Sequence, residues 1–191
     1  MAFQRLIGDF PMIPAVRSVE HLDEALDSSA HVVYLLCGDV TTVPRLILKT
    51  HAASKLAVVN LDLVSGLSGT APAVDYLADC GADGIISTHA ETLKAAHARG
   101  LLGIQRTFML DSLALRNVLR SLTRYMPDAI EILPAAVAPG VMGALRERHP
   151  GITVIAGGLV ASLREIDVLV SSGVAAVSVS ERSLWRLAPR A

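Results

Sequence analysis

The feature that most constrains this chain is a repeated alternation between short apolar runs and segments with helical periodicity. Eight such units follow one another at a spacing of about 20 to 25 residues. The apolar runs lie at residues 12–16, 32–37, 57–63, 84–86, 102–108, 129–133, 152–156 and 175–179. Alternation of this kind predicts parallel strands joined by helical crossovers. Eight repeats predict that the sheet closes, so we expect an α/β protein forming a single compact (β/α)8 barrel of the TIM type.

An open doubly wound sheet of five or six strands is the alternative architecture. It would require that two of the apolar runs are not strands, and no pair of runs is an obvious choice. The sequence shows no linker rich in proline or serine and no abrupt change of composition. We therefore expect one domain over residues 1–191, with the barrel core at about 12–185.

Composition limits the class of protein further. Hydrophobic residues make up 52% of the chain and aromatic residues only 4%, which excludes wholesale disorder and predicts an aliphatic core. The net charge of −1 argues against a strongly basic nucleic-acid clamp, although it leaves room for a local basic patch. The longest charge-free stretches are shorter than the roughly 20 residues of a membrane helix. The first residues lack the pattern of a signal peptide, so we expect a soluble, cytoplasmic protein without membrane contact.

Charged residues at the ends of the apolar runs are the first candidates for a site, because the carboxyl ends of barrel strands carry function. They are Arg17, Asp62, Arg106 and Glu131. The arginines would assist an anion, and the carboxylates would accept hydrogen bonds from ligand hydroxyls. The alternative is an internal network of ion pairs that only stabilises the barrel.

A second candidate is the glycine pair Gly157-Gly158 after the seventh run, together with Ser180 after the eighth. Glycines let backbone N–H groups approach an anion closely, and Ser162 then begins a helix whose N-terminus favours negative charge. Loops after strands seven and eight are where this fold usually binds phosphate. In the alternative interpretation, the glycines make a tight turn and the serines cap helices.

Residues for catalysis are not apparent. The three lysines, Lys49, Lys55 and Lys94, lie away from strand ends, which argues against Schiff-base chemistry. Apart from His89 at a strand end, the histidines are predicted on solvated helices or loops. No metal-ligand spacing appears, so we expect no catalytic residue, no metal and no cofactor.

One predicted helix carries a basic stripe at Arg116, Arg120 and Arg124, spaced four residues apart. Such a stripe is compatible with RNA binding and equally with a solvated helix face. No motif that reads RNA accompanies it.

Seven strings along the chain form an ordered series: IPAVR (13–17), VNLDLVSG (59–66), GIISTH (84–89), GIQRTFMLD (103–111), IEILP (130–134), IAGGL (155–159) and VSVSERSLW (177–185). Together they resemble the glycerol uptake operon antiterminator regulatory proteins of bacteria, which respond to glycerol 3-phosphate. Each is weak alone, but the ordered series is specific and covers the chain from about Met12 to Trp185.

The resemblance implies a (β/α)8 barrel that acts as a sensor rather than an enzyme. Such proteins bind glycerol 3-phosphate and act on the mRNA leader, so that transcription reads through a terminator ahead of glycerol-utilisation genes. By position, the resemblance assigns the phosphate group of the ligand to Gly157, Gly158 and Ser180. It assigns the glycerol end of the ligand to the rim residues Arg17, Asp62, Arg106 and Glu131. A homodimer would double the basic surface.

This chain departs from the family pattern in two places. The segment after IEILP contains an extra proline-glycine pair, Pro139-Gly140, and position 178 is Ser where we expect Thr. Two other functions remain open on the residues alone. One is an isomerase, lyase or phosphodiesterase acting on a small phosphate ester, and the other is a barrel that serves only as an assembly surface.

Overall fold

The computed structural model describes residues 3–7 and 10–186 and shows a closed barrel of eight parallel strands in sequential order. The (β/α)8 fold class predicted from the sequence is therefore confirmed. The strands are β1 (Met12–Val16), β2 (Val32–Leu35), β3 (Leu56–Asn60), β4 (Gly84–Ser87), β5 (Leu102–Phe108), β6 (Ala129–Leu133), β7 (Val154–Gly157) and β8 (Ala176–Val179). The last strand closes the ring by pairing with β1 through Ile13 and Ser178.

Helices surround the barrel and connect its strands. They are α1 (Phe3–Ile7), α2 (Leu22–Leu26), α3 (Val43–Ala52), α4 (Ala71–Asp79), α5 (Ala90–Ala98), α6 (Ser112–Arg124), α7 (Ala138–Arg148), α8 (Leu163–Ser171) and α9 (Arg182–Trp185). Three short 3-10 turns occupy Val19–His21, Leu61–Leu63 and Ala135–Val137. None of the helices in the described part of the chain is long and apolar enough to cross a membrane.

The strands are buried on both faces, which explains their continuous apolar sequences. Side chains that point inward form one cluster, with Ile13, Val58 and Ile104 among its members. Side chains that point outward join the helices in a larger cluster that includes Val33 and Leu77. Small aliphatic residues can fill both layers, in keeping with the scarcity of aromatic residues.

Local sequence sets where several helices begin. The carboxylate of Asp111 accepts a hydrogen bond from the backbone N–H of Ala114 at 2.8 Å, so Asp111 caps α6. Pro44 lies in the first turn of α3, where its missing N–H costs nothing. The amphipathic pattern of α6 then directs Val118 and Leu122 into the core.

Several expectations about boundaries and burial are wrong, beginning with the second strand, which ends at Leu35 rather than at residue 37. The third apolar run ends as a strand at Asn60, and residues 61–63 form a 3-10 turn, so Asp62 lies beyond the strand. The seventh strand is shifted to Val154–Gly157. His149, which we predicted to be solvated, is buried, and its Nε2 lies 3.3 Å from the carbonyl oxygen of Leu119.

The chain's one tryptophan fastens α9 to the barrel. Trp185 is 1% exposed, and its indole N–H donates to the carbonyl oxygen of Val179 at 2.7 Å. The outer side of α9 is held by an ion pair between Arg182 and Glu24 of α2. These contacts position Ser180, which lies between β8 and α9, at the carboxyl end of the barrel.

We expect the substitution Trp185→Phe to lower the free energy of unfolding by about 2 to 3 kcal/mol, because it removes a buried hydrogen bond and leaves a cavity. Urea unfolding followed by circular dichroism measures this change. Substitution of the exposed Leu48 by Ala serves as the control and should change stability by less than about 1 kcal/mol. Equal stability of the Trp185 variant and the parent would show that α9 does not contribute to the core.

Candidate functional site

A small pocket of about 60 Å³ opens at the carboxyl end of the barrel, between β1, β6, β7 and β8. This is the end at which barrel proteins generally bind ligands. The lining residues are Ala15, Arg17, Leu36, Arg106, Glu131, Leu133, Gly158, Leu159, Val160, Ser178 and Ser180. Five of the seven residues predicted from the sequence therefore lie together here: Arg17, Arg106, Glu131, Gly158 and Ser180.

The floor of the pocket is a chain of three polar side chains centred on Glu131. Arg106 donates from Nε to one carboxylate oxygen at 2.7 Å, and Ser178 donates from Oγ to the other at 2.6 Å. Glu131 is fully buried and the side chain of Arg106 is only 10% exposed. A buried carboxylate requires such partners, because an uncompensated charge in the interior is very costly.

Arg106 and Arg17 both keep guanidinium N–H groups that can donate to another anion. Arg106 uses only Nε on Glu131, and its terminal nitrogens have no hydrogen-bond partner among the described residues. The guanidinium group of Arg17 is likewise without an ion pair or hydrogen bond to any described side chain. Two guanidinium groups at one pocket offer several N–H donors in the planar arrangement that suits phosphate and carboxylate.

The loop after β7 adds backbone donors. Gly158 has a φ of +80° and Leu159 a φ of +60°, so two consecutive residues adopt the left-handed conformation. Glycine adopts it readily, but leucine does so at a cost of roughly 1 to 2 kcal/mol. The N–H groups of Gly158, Leu159, Val160 and Ser180 donate to no acceptor within residues 3–7 and 10–186. Left-handed backbone and N–H groups without a protein acceptor therefore occur in the neighbouring loops after β7 and β8, and backbone strain of this kind is typical of a binding site.

Gly157 lies below the pocket rather than in its wall. It is the last residue of β7 and pairs in register with Ser178 of β8. A Cβ at this position would overlap Ser178 Oγ and come within 2.9 Å of Glu131 Oε1. The absent side chain therefore leaves the space in which Ser178 and Glu131 meet.

The two neighbouring helix N-termini are closed by carboxylates of the chain itself. Glu165 accepts hydrogen bonds from the backbone N–H of Ala161 and from Ser162 Oγ, both at 2.9 Å. Glu181 accepts similarly from Ser183. The bond from Ala161 is the largest of the causes that lower the pKa of Glu165 below its ordinary value. The helix beginning at Ser162 is thus already capped, and an anion would depend on the loop amides and the arginines instead.

Asp62 lies on another part of the rim, between β3 and β4. One of its oxygens accepts from Ser87 Oγ at 2.7 Å, and the other accepts from the N–H and hydroxyl of Thr88 at 2.7 and 2.9 Å. These bonds tie the loop after β3 to the end of β4. The structure does not bring Asp62 into the wall of the small pocket.

Sequence reasoning did not select Ser178 or Tyr34 for the site. Tyr34 is fully buried within the barrel, and its hydroxyl has no partner among the described residues. Burial, and then the nearby charge of Glu131, raise the pKa of Tyr34 well above its usual range, so the phenol is neutral. Alternation along the strands could have found both residues, since Ser178 shares the inward face with Ser180 and Tyr34 shares it with Leu36.

Within the described residues, no group of three His, Cys, Asp or Glu side chains is arranged to hold a metal ion. The chemistry available at the pocket is hydrogen-bond donation from guanidinium and amide groups, with one buried carboxylate as acceptor. That combination suits a small anionic ligand that also carries hydroxyl groups.

Comparisons with known proteins show the family of this chain. The protein YgcP of Escherichia coli strain K12 is 35% identical over 193 aligned residues, which cover all of this chain and 99% of that protein. A crystal structure of a glycerol uptake operon antiterminator regulatory protein from Listeria monocytogenes has a TM-score of 0.85 at 31% identity, covering 91% of this chain and 94% of that one.

A glycerol uptake operon antiterminator-related protein from Thermotoga maritima has a TM-score of 0.84 at 31% identity, covering 93% of this chain and 99% of that one. The family model described as glycerol-3-phosphate responsive antiterminator matches residues 12–185, which include every residue of the pocket. The chain therefore belongs to the glycerol-3-phosphate responsive antiterminator family.

Proposed function

We propose that this protein binds glycerol 3-phosphate at the mouth of its barrel and, in that state, acts on an mRNA leader to prevent transcription termination ahead of glycerol-utilisation genes. Family membership supports the regulatory part of this proposal. The observation that carries the ligand part is that one small pocket is lined by Arg17, Arg106 and four residues whose backbone N–H groups have no acceptor in the described protein.

The phosphate group would lie against the loop of Gly158, Leu159 and Val160, opposite the guanidinium groups of Arg17 and Arg106. Charge-assisted hydrogen bonds of this kind are about twice as strong as neutral ones. The hydroxyls of the ligand would then donate to Glu131, whose oxygens each retain acceptor capacity beyond the bonds from Arg106 and Ser178. Gly157 contributes by leaving space for this acceptor, and Asp62 by fixing the rim between β3 and β4.

We favour a regulator over an enzyme because the mouth offers binding groups without an evident catalytic set. The three lysines lie elsewhere: Lys49 and Lys94 form ion pairs on outer helices, and Lys55 donates to the carbonyl oxygens of Ser28 and Ala30. A Schiff-base mechanism has no lysine to use at the pocket.

A regulator of nascent transcripts works in the cytoplasm. A homodimer would double the basic surface available to one RNA, and sedimentation velocity with and without ligand tests whether the protein dimerises.

Titration calorimetry with glycerol 3-phosphate, glycerol and inorganic phosphate tests the ligand, and a read-through assay on a leader with a terminator tests the activity. We expect the phosphate ester to bind more tightly than either fragment and to increase read-through. Equal binding of all three compounds would contradict a dedicated site. Turnover of a phosphate ester, measured by phosphorus NMR, would favour an enzyme instead.

Arg106 should be needed for both stability and ligand binding. We expect Arg106→Gln to lower the free energy of unfolding by about 3 kcal/mol, because Glu131 is left buried without its cationic partner. The double variant Arg106→Gln with Glu131→Gln should regain most of this loss but still fail to bind the ligand. Chemical unfolding with and without glycerol 3-phosphate measures both effects.

A matched control for this experiment is Arg45→Gln, since Arg45 is an exposed arginine on α3 that does not line the pocket. It should retain both stability and ligand binding. If the double variant binds the ligand as well as the parent, Arg106 does not contact the phosphate group.

The left-handed loop should also be sensitive to substitution. Ligand at 100 times its Kd stabilises a protein by about 2.7 kcal/mol, which corresponds to a rise in Tm of roughly 5 to 10 °C for a chain of this size. We expect Gly158→Val to abolish this rise, because a β-branched residue cannot hold a φ of +80° without displacing the amides.

Gly100→Val is the control, because Gly100 has a similar φ of +73° but lies at the end of α5, with no atom near the position of a Cβ. Both variants should lose intrinsic stability, but the Gly100 variant should keep the ligand-induced rise in Tm. A full ligand-induced rise in the Gly158 variant would place the phosphate group elsewhere.

A further inference from the structure

The outer surface of α6 and the end of α7 form a second feature that the ligand site does not explain. Four arginines lie there: Arg116, Arg120 and Arg124 on α6, and Arg148 at the end of α7. We call this surface the arginine face. A groove of about 360 Å³ lies along it, lined by Arg116, Arg120, Arg148 and the side chains of Leu113 and Leu119.

The charges of the arginine face are not neutralised by the described protein. None of its four arginines is within an ion pair, and the hydrogen bonds of Arg116 and Arg120 go to the neutral side chains of Ser112 and Asn117. Helix α6 contains no acidic residue. By contrast, several exposed cations elsewhere on the barrel are paired: Lys49 with Asp23, Arg99 with Asp75 and Asp79, and Arg182 with Glu24.

This difference matters because the chain as a whole is nearly neutral, with a net charge of −1. A concentration of like charge on one helix raises its self-repulsion, and an i, i+4 pair of like charges destabilises a helix. A solvated helix face would be expected to carry mixed signs. The surface therefore has the electrostatics of a binding site for negative charge.

The spacing points to a ligand with repeated negative charges. Residues four apart on a helix advance about 6 Å along its axis, so the three arginines of α6 form a row of evenly separated cations. A single small anion could use one or two of them, whereas a polyphosphate strand could use the whole row. Arg148 adds a fourth cation across the groove.

We propose that the arginine face binds the phosphate backbone of single-stranded RNA. This inference rests on the proposed function, and it assigns the RNA to α6 and α7 rather than to the barrel mouth. The apolar face of α6 is occupied by core packing through Val118 and Leu122, and the groove adds only Leu113 and Leu119, which is too little apolar surface for the helix to insert into a membrane. A second copy of this face is excluded as its partner, because the two surfaces would repel each other.

The position of the arginine face also suits regulation. Arg106 lies in β5, and only three residues separate the end of β5 from the start of α6. In this connection the N–H of Met109 donates to the carbonyl oxygen of Leu133, which itself lines the pocket. Arg106 of the pocket and the three arginines of α6 therefore lie on consecutive elements of one strand-helix unit.

The test is a triple variant with Arg116→Gln, Arg120→Gln and Arg124→Gln. Glutamine keeps the helix propensity, so the barrel should remain folded and glycerol 3-phosphate should still raise its Tm. Fluorescence anisotropy with a labelled single-stranded RNA of mixed sequence, measured in a salt series with the ligand present, gives the affinity. We expect roughly tenfold weaker binding, and a slope of log affinity against log salt that is smaller by about 2.

The control removes the same amount of positive charge elsewhere, through Arg45→Gln, Lys49→Gln and Arg99→Gln on α3 and the end of α5. It should bind RNA as the parent does. Equal RNA binding by the parent and the arginine-face variant would overturn the inference. The inference is also overturned if the arginine-face variant loses binding to phosphatidylcholine–phosphatidylserine vesicles but keeps binding to RNA, because these arginines would then contact a membrane surface instead.

The proposed function and this inference fail in distinguishable ways. If the parent protein binds glycerol 3-phosphate but no RNA under any condition, the RNA part of the proposed function is wrong. The assignment of RNA to the arginine face is then wrong as well. If RNA binds and the triple variant retains it, only the location is wrong.

Discussion

The arrangement at the barrel mouth depends on one buried carboxylate. Glu131 is fully excluded from solvent, so its charge is tolerated only because Arg106 and Ser178 each donate to one of its oxygens. Those bonds determine the positions of three strands, since the partners come from β5, β6 and β8. The space for the network exists because β7 ends in Gly157, where a Cβ would collide with Ser178.

This network also explains how a stabilising interaction can serve binding. Arg106 donates to Glu131 through Nε alone. Its terminal nitrogens are therefore held at the pocket in a fixed orientation and donate to no other described residue. Preorganised donors of this kind lose little entropy when an anion arrives. The strained loop of Gly158 and Leu159 complements them with amides that the described protein leaves unsatisfied. An interpretation as an internal ion-pair network and one as a ligand site are therefore compatible.

In the proposed function the barrel mouth binds the ligand and the arginine face binds RNA, and Arg106 at the mouth lies in β5, the strand that leads into α6. The mouth presents a small enclosed set of donors, suited to one phosphate group. The arginine face presents an open row of cations, suited to a repeating backbone. A ligand can shift the RNA affinity only if it binds one arrangement of the connection between β5 and α6 better than another.

The sequence by itself determined the fold class and the strands on which the site residues lie, because doubly buried strands and amphipathic helices leave distinct periodicities in the chain. The rule that strand ends meet at one mouth leads to five of the pocket residues: Arg17, Arg106, Glu131, Gly158 and Ser180.

Only the tertiary structure decided that Gly157 lies beneath the pocket and that Asp62 binds Ser87 and Thr88. It also decided that Glu165 and Glu181 already cap the nearby helices. It also revealed the role of Ser178 and the burial of His149. The physical reason is that periodicity reports which face of an element is buried, whereas the partner of a polar group depends on strand register and loop conformation, which are fixed by contacts far apart in the chain.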